Sequence, residues 1–130
     1  MKPKFPRIFK KFCEIYDIFV SFWNFKQKRQ KFMRIVESKD FSLWFENLKD
    51  KTLKKLIYQR LARIRLYGHF GDVKPIDSEL KELRFFNKSG TRIYFALIDG
   101  VLLLLGGDKD TQNKDIQRAR ELLKEFKDEF

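Results

Sequence analysis

Residues 79–107 read ELKELRFFNKSGTRIYFALIDGVLLLLGG. Three apolar-rich segments are separated by NKSG and by DG, and that punctuation is the signature of an antiparallel meander. NKSG suits a type I turn with Gly90 in the left-handed bulge position. Asp99-Gly100 is a strong signal for a tight two-residue hairpin. With Lys88-Ser89-Gly90 as the loop, Asn87 pairs with Thr91, Phe86 faces Arg92, Arg84 faces Tyr94 and Glu82 faces Ala96. Side chains alternate along a strand, so Leu83, Phe85, Ile93, Phe95 and Leu97 then share one face. A one-residue slip would split that apolar set. The opposite face gathers Arg84, Arg92 and Tyr94, flanked by Glu82 and Phe86. VLLLL has no alternation and predicts burial on both faces, at the sheet centre or under a helix.

On either side the period changes to that of helices. Phe41, Trp44, Phe45 and Leu48 recur at i, i+3, i+4 and i+7, with Ser38 or Asp40 able to cap. Leu53, Leu56, Ile57, Leu61 and Ile64 form a second stripe, capped by Asp50 or Thr52 and ended at Gly68 and Gly71. These two helices are expected to form an antiparallel hairpin. VKPI (73–76) contains Pro75 and reads as an edge strand or no strand. MRIVE (33–37) is a short strand. A last helix runs from about Thr111 to Phe126, with Ile116, Ala119, Leu123 and Phe126 inward. The expected fold is α+β: a short strand, a two-helix hairpin, a twisted antiparallel sheet and a C-terminal helix, with the helices on one face.

The chain has 130 residues and a formal net charge of +11, from 29 Lys+Arg against 18 Asp+Glu. Such an excess points to a polyanionic partner, with surface solubility as the plainer reading. Of the +11, residues 1–32 carry +7, from nine Lys/Arg against Glu14 and Asp17. Two domains of unequal clarity follow. Residues 1–32 are a basic aromatic extension, and residues 33–130 are the organised domain. The extension reads either as upstream sequence from a misjudged start, with Met33 the initiator, or as an arm binding RNA or an anionic membrane surface. No apolar run approaches the ~20 residues that span a membrane. The one cysteine, Cys13, excludes an internal disulfide, so a reducing cytoplasmic setting is expected.

The basic face suits RNA chemistry. Arginine offers fixed, bidentate contacts to phosphate. Lysine or tyrosine moves a proton when neighbouring positive charge lowers its pKa. The residues expected to carry catalysis are therefore Arg92, Arg84, Lys109 and Tyr94. Lys74, Lys88, Phe86 and Gln112 are expected to bind RNA, Phe86 by stacking on an unpaired base. The plainer account is that an exposed sheet face is polar in any case, with Arg84 paired to Glu82 at little energetic gain. In GGDKDTQNKDI (106–116), the glycines allow a sharp exit, Asp110 or Thr111 caps the helix, and Asp115 suits its positive end. Spacing excludes a nucleotide P-loop, and Asn113 and Ala119 stand where a calcium loop needs Gly and Glu. Neither a cofactor nor a metal is expected. His69 reads as a loop residue.

Four stretches taken together, LARIRLYGHFGDVKPI (61–76), ELRFF (82–86), SGTRIYFALIDG (89–100) and LLLLGGDKDTQNKDIQRA (102–119), resemble the RelE/ParE toxin superfamily. They look most like its HigB-like addiction-module-killer branch, over Met33 to Phe126. The resemblance implies a RelE-like fold and the toxin of a type II toxin–antitoxin module. It also implies a metal-independent mRNA endoribonuclease acting on the ribosome, inhibiting translation and arresting growth. Its partners would be mRNA and a cognate antitoxin, in this branch a helix-turn-helix DNA-binding protein. Arg92 matches the phosphate-contacting arginine of the central strand, Arg84 that of the preceding strand, and Lys109 the basic residue after the last strand. Glu82 departs from a lysine common two residues before the Arg84 position, and no tyrosine follows Tyr94. The general base is thus open. A gyrase-poisoning toxin of the same fold and a non-catalytic RNA-binding module are the alternatives.

Overall fold

The computed structural model describes residues 9–11 and 32–129. In chain order the elements are β1 (Phe9–Lys11), β2 (Ile35–Ser38), α1 (Lys39–Glu46), α2 (Lys51–Tyr67), β3 (Val73–Pro75), β4 (Leu80–Arg84), β5 (Arg92–Leu97), β6 (Val101–Gly107) and α3 (Gln112–Asp128). The strands form one six-stranded sheet in the order β1-β2-β6-β5-β4-β3. The class is α+β, and from β2 onward the helix and strand order is that read from the sequence; β1, within the 1–32 extension, was not expected. The 1–32 extension otherwise lies outside the described residues.

Three features differ from expectation. The sheet is mixed, because β2 lies parallel to β6, with Val36 opposite Leu102. A parallel neighbour needs a crossover connection, and here the whole α1–β5 segment supplies it. The helices also cover both faces of the sheet. Phe41 and Phe45 of α1 and Leu53, Ile57, Leu61 and Ile64 of α2 pack with Leu83, Ile93, Phe95 and Leu103 on one side. Ala119, Leu122, Leu123 and Phe126 of α3 pack with Leu80, Tyr94, Ala96, Leu102 and Leu104 on the other. This second face was expected to be open. It is closed because β6 is apolar on both sides and sits between β2 and β5, where each face needs a cover.

The third difference is the hairpin register. Arg84 pairs with Arg92, Leu83 with Ile93 and Glu82 with Tyr94. The pairing has slid by two residues from the predicted one. Thr91 is closed not by the backbone of Asn87 but by its side chain, whose Oδ1 accepts from Thr91 N (2.8 Å) while its Nδ2 donates to Thr91 Oγ1 (2.7 Å). The loop is therefore longer, with Phe85 N donating to Thr91 O (3.0 Å). Two is the side-chain period, so no residue changes face. Gly90 does take the left-handed conformation, with φ +63°.

Local signals hold in detail elsewhere. Ser38 Oγ accepts from Phe41 N (3.0 Å), and Asp50 Oδ1 from Thr52 N and Leu53 N (3.0 and 3.1 Å). VKP is an edge strand. Leu56, however, leaves the expected α2 stripe and is 44% exposed, and Leu97, at the end of β5, is exposed rather than buried.

The glycines of GGDK are not an exit. Both belong to β6, and each lacks a side chain because a neighbour occupies its place. A Cβ on Gly106 would lie 2.2 Å from the Trp44 ring of α1, and one on Gly107 would lie 1.9 Å from Asp115 Oδ2 of α3. Gly106→Ala should therefore lower unfolding stability by about 1–3 kcal/mol through overpacking. Urea denaturation checks this, and an unchanged midpoint would mean that Trp44 turns aside freely.

Candidate functional site

The site forms where the β4–β5 hairpin meets the loop after α2 and the end of β6. Arg84 and Arg92 stand directly opposite each other, an arrangement that is destabilising for like charges unless each finds an anion. Each does. Arg84 makes a two-pronged pair with Asp72, Nε to Oδ2 and Nη2 to Oδ1, both 3.1 Å. Arg92 donates from Nε to Glu82 Oε1 (3.0 Å) and from Nη1 to the Gly90 carbonyl (3.2 Å). The expected Arg84–Glu82 pair is not formed. The longer loop places Arg92 beside Glu82 and leaves Arg84 to the loop carboxylate.

Glu82 is the buried member of this set, its side chain 1% exposed. Its second oxygen accepts from Gln112 Nε2 at the start of α3 (3.0 Å). A buried carboxylate is tolerated when it is charge-paired and hydrogen-bonded, and both conditions are met. Beside Asp72 the Arg84 guanidinium holds its proton more firmly than a free arginine, chiefly through the hydrogen bonds to that carboxylate. These bonds use two of the five N–H donors of each guanidinium, which leaves donors for a further anion.

Around the arginines lies a cleft of ≈ 380 Å³, lined among others by Asp72, Arg84, Phe86, Asn87, Thr91 and Arg92. Phe86 borders it with a side chain that is 91% exposed. Lys109, two residues beyond the end of β6, approaches the same place. Its N donates to Ser89 O (3.1 Å), and a Cβ on Gly90 would lie 3.0 Å from Lys109 Cβ. The pairing of Arg92 with Gly107 brings the end of β6 there, as the sequence suggested.

Four expected residues fall elsewhere. Tyr94 is fully buried under α3, and its hydroxyl has no hydrogen-bond partner among the described residues. Its pKa is pushed well up, first by burial and then by the charges of Glu82 and Asp115, the opposite of what proton transfer needs. Tyr94 is therefore a core residue, because α3 covers the face that was expected to be open. Gln112 points inward to Glu82 rather than to a ligand. Lys74 is exposed on edge strand β3, across from Glu82. Lys88 is exposed in the hairpin turn.

At the start of α3, Thr111 takes the N-cap position as expected, without a side-chain capping bond. Asp108 Oδ1, not Asp110, accepts from the N–H groups of Asp110 (2.9 Å) and Thr111 (3.1 Å). Asp115 accepts from the Thr111 hydroxyl, and burial raises its carboxyl pKa.

Sequence reasoning missed Asp72, Arg60 and the role of Glu82. Arg60 donates to Phe70 O (2.8 Å), to Asp72 O (2.8 Å) and to Arg84 O, fastening α2 to both members of the Arg84–Asp72 pair. Asp72 and Arg60 carry no local signal, since their partners are 12 and 24 residues distant. Glu82 was visible on the same face as Arg92, two residues before Arg84. Among the described residues no group of three or more His, Cys, Asp or Glu side chains could hold a metal ion, and no helix is long and apolar enough to cross a membrane.

The chain is similar to a protein of Haemophilus influenzae described as an uncharacterized protein. The two are 40% identical over 88 residues, which is 66% of this chain and 88% of the relative. No protein-family model and no solved structure matches the chain.

The buried phenol yields a test. Tyr94→Phe removes a hydroxyl that has no partner, so stability at neutral pH should be unchanged or higher. A tyrosine whose folded pKa is raised contributes its full stability below the unfolded value of about 10 and loses it as pH rises above that, by at most about 1.4 kcal/mol per pH unit. Wild type should thus weaken above pH 10 more steeply than Tyr94→Phe in urea titrations. Parallel curves would mean that the phenol ionises within the fold.

Proposed function

We propose, for a chain that belongs to the same family as that Haemophilus influenzae protein, that the cleft binds RNA and cleaves it, as the toxin of a type II toxin–antitoxin module. The observation that carries this reading is the two opposed arginines, held by carboxylates, in a cleft bordered by an exposed phenylalanine and flanked by Lys109. Arg84 and Arg92 hold a phosphate with their remaining N–H groups. Phe86 takes an unpaired base on its face, which single-stranded RNA offers and a duplex does not. The net charge of +11 draws the polyanion in.

The cleavage is internal. A ribose 2′-hydroxyl loses its proton to water, its oxygen bonds to the adjacent phosphorus, and the bond to the 5′-oxygen breaks as that oxygen takes up a proton. The products are a 2′,3′-cyclic phosphate and a 5′-hydroxyl, and no metal or cofactor enters the balance. Arg84 and Arg92 stabilise the charge that grows on the phosphorane. With Tyr94 buried, Lys109 is the exposed group beside the arginines able to carry a proton. Its ammonium serves the leaving oxygen, the role of a general acid. The RelE/ParE resemblance supplies the biological setting: mRNA on the ribosome as substrate, translation arrest as the outcome, and a helix-turn-helix antitoxin as the neutralising partner. The order of a short strand, two helices, a hairpin-rich sheet and a final helix supports a RelE-like reading of the fold.

The full chain, induced without an antitoxin, should arrest growth and leave cut transcripts with cyclic-phosphate ends. The purified protein should cut mRNA on added ribosomes. Lys109→Ala should slow cutting by about 10²-fold or more, the usual range for losing a proton-transfer group. Arg84→Ala should weaken RNA binding about 10-fold, the loss of charged hydrogen bonds. Intact transcripts with DNA double-strand breaks would replace this reading by a gyrase poison. Tight, steeply salt-dependent RNA binding without products would leave a non-catalytic RNA-binding module.

A further inference from the structure

Phe86 borders a second concavity. This cleft, of ≈ 210 Å³, is lined by Leu56, Gln59, Arg60, Arg63, Phe85 and Phe86. It shares Phe85 and Phe86 with the arginine cleft, so the two are continuous around one exposed ring.

Its outer wall is a row on α2. Leu56, Gln59 and Arg63 fall at i, i+3 and i+7 and lie on one helix face. All three are exposed. Leu56 departs from the buried stripe of its own helix, and neither packing nor capping accounts for an apolar side chain there. Arg63 has no ion-pair partner among the described residues, whereas Arg84 and Arg92 are each paired with a carboxylate and Arg60 is spent on backbone carbonyls. The floor is rigid. Arg60 lies over the Phe85 ring, 4.8 Å from its centre, while donating to the carbonyls of Asp72 and Arg84. The row on α2 is thereby fixed relative to the phosphate-binding pair of the first cleft.

We infer that this second cleft is the subsite for the neighbouring nucleotide of the same RNA strand, a reading that rests on RNA binding at the first. The apolar surfaces of Leu56 and Phe86 take the base, the Gln59 amide meets its edge with a donor and an acceptor, and Arg63 meets the next phosphate. An amphipathic recess with one uncommitted cation complements a nucleotide, which has an apolar face, a polar edge and one negative charge. Phe86 then separates two successive bases.

Fluorescence anisotropy of the full chain with labelled 2′-O-methyl RNA, which the enzyme cannot cut, tests this. A dinucleotide with an abasic second position and no terminal phosphate fills the first cleft alone, and a hexanucleotide reaches both. The double variant Gln59→Ala/Arg63→Ala, on exposed positions, should weaken the hexanucleotide about 10-fold and reduce its salt slope by about 1. It should leave the dinucleotide within about 2-fold, since its contacts are outside that cleft. Phe86→Ala should weaken both. If the double variant leaves the hexanucleotide unchanged while Phe86→Ala and Arg84→Ala weaken it, the second subsite is overturned and the first cleft stands. Equal weakening of both lengths also overturns it, in favour of diffuse charge attraction. If the wild-type chain binds neither oligonucleotide, RNA binding at the first cleft fails and the subsite fails with it.

Discussion

A carboxylate buried on β4, beneath the start of α3, constrains the rest of this molecule. Glu82 is removed from solvent, and an uncompensated charge there would cost several kcal/mol. Arg92 and Gln112 supply the compensation, one from the adjacent strand and one from the first turn of α3. Three consequences follow. Arg92 is held in place rather than left as a mobile surface cation. Helix α3 is docked by a polar contact as well as by its apolar stripe. The hairpin is steered to the register in which Arg92 reaches Glu82, two residues from the one that turn chemistry suggests.

The same register creates the electrostatic problem that defines the cleft. Opposed arginines repel, and each is relieved by its own carboxylate. The result is a pair of cations each held by a carboxylate, with part of their hydrogen-bonding capacity unspent. Preorganisation of that kind favours an incoming phosphate over water, because little reorganisation is needed to receive it. Arg60 extends the rigidity into α2, so the wall that carries Arg63 is held to the same frame.

Much of the fold was legible because it is encoded at short range. The caps at Ser38 and Asp50, the left-handed Gly90, the edge strand with Pro75 and the doubly buried β6 each follow from a few neighbouring residues. The reading of GGDK erred because the reason for each glycine is remote. Trp44 is 62 residues before Gly106, and the Asp115 carboxylate arrives on a different element. Tyr94 erred for the same reason. Its face was assigned correctly, but whether that face meets solvent depends on where α3 packs.

The amino-acid sequence by itself determined the α+β class, the elements from β2 onward, the faces of the hairpin strands and the presence of Arg84, Arg92, Phe86 and Lys109 near one end of the hairpin. These properties depend on side-chain period and turn preference, which act over a few residues. Only the tertiary structure decided that β2 runs parallel to β6, that α3 buries Tyr94, and that Asp72 and Glu82 each take one arginine. Those outcomes depend on contacts between distant segments, where burial and charge pairing act together and no local pattern carries the answer.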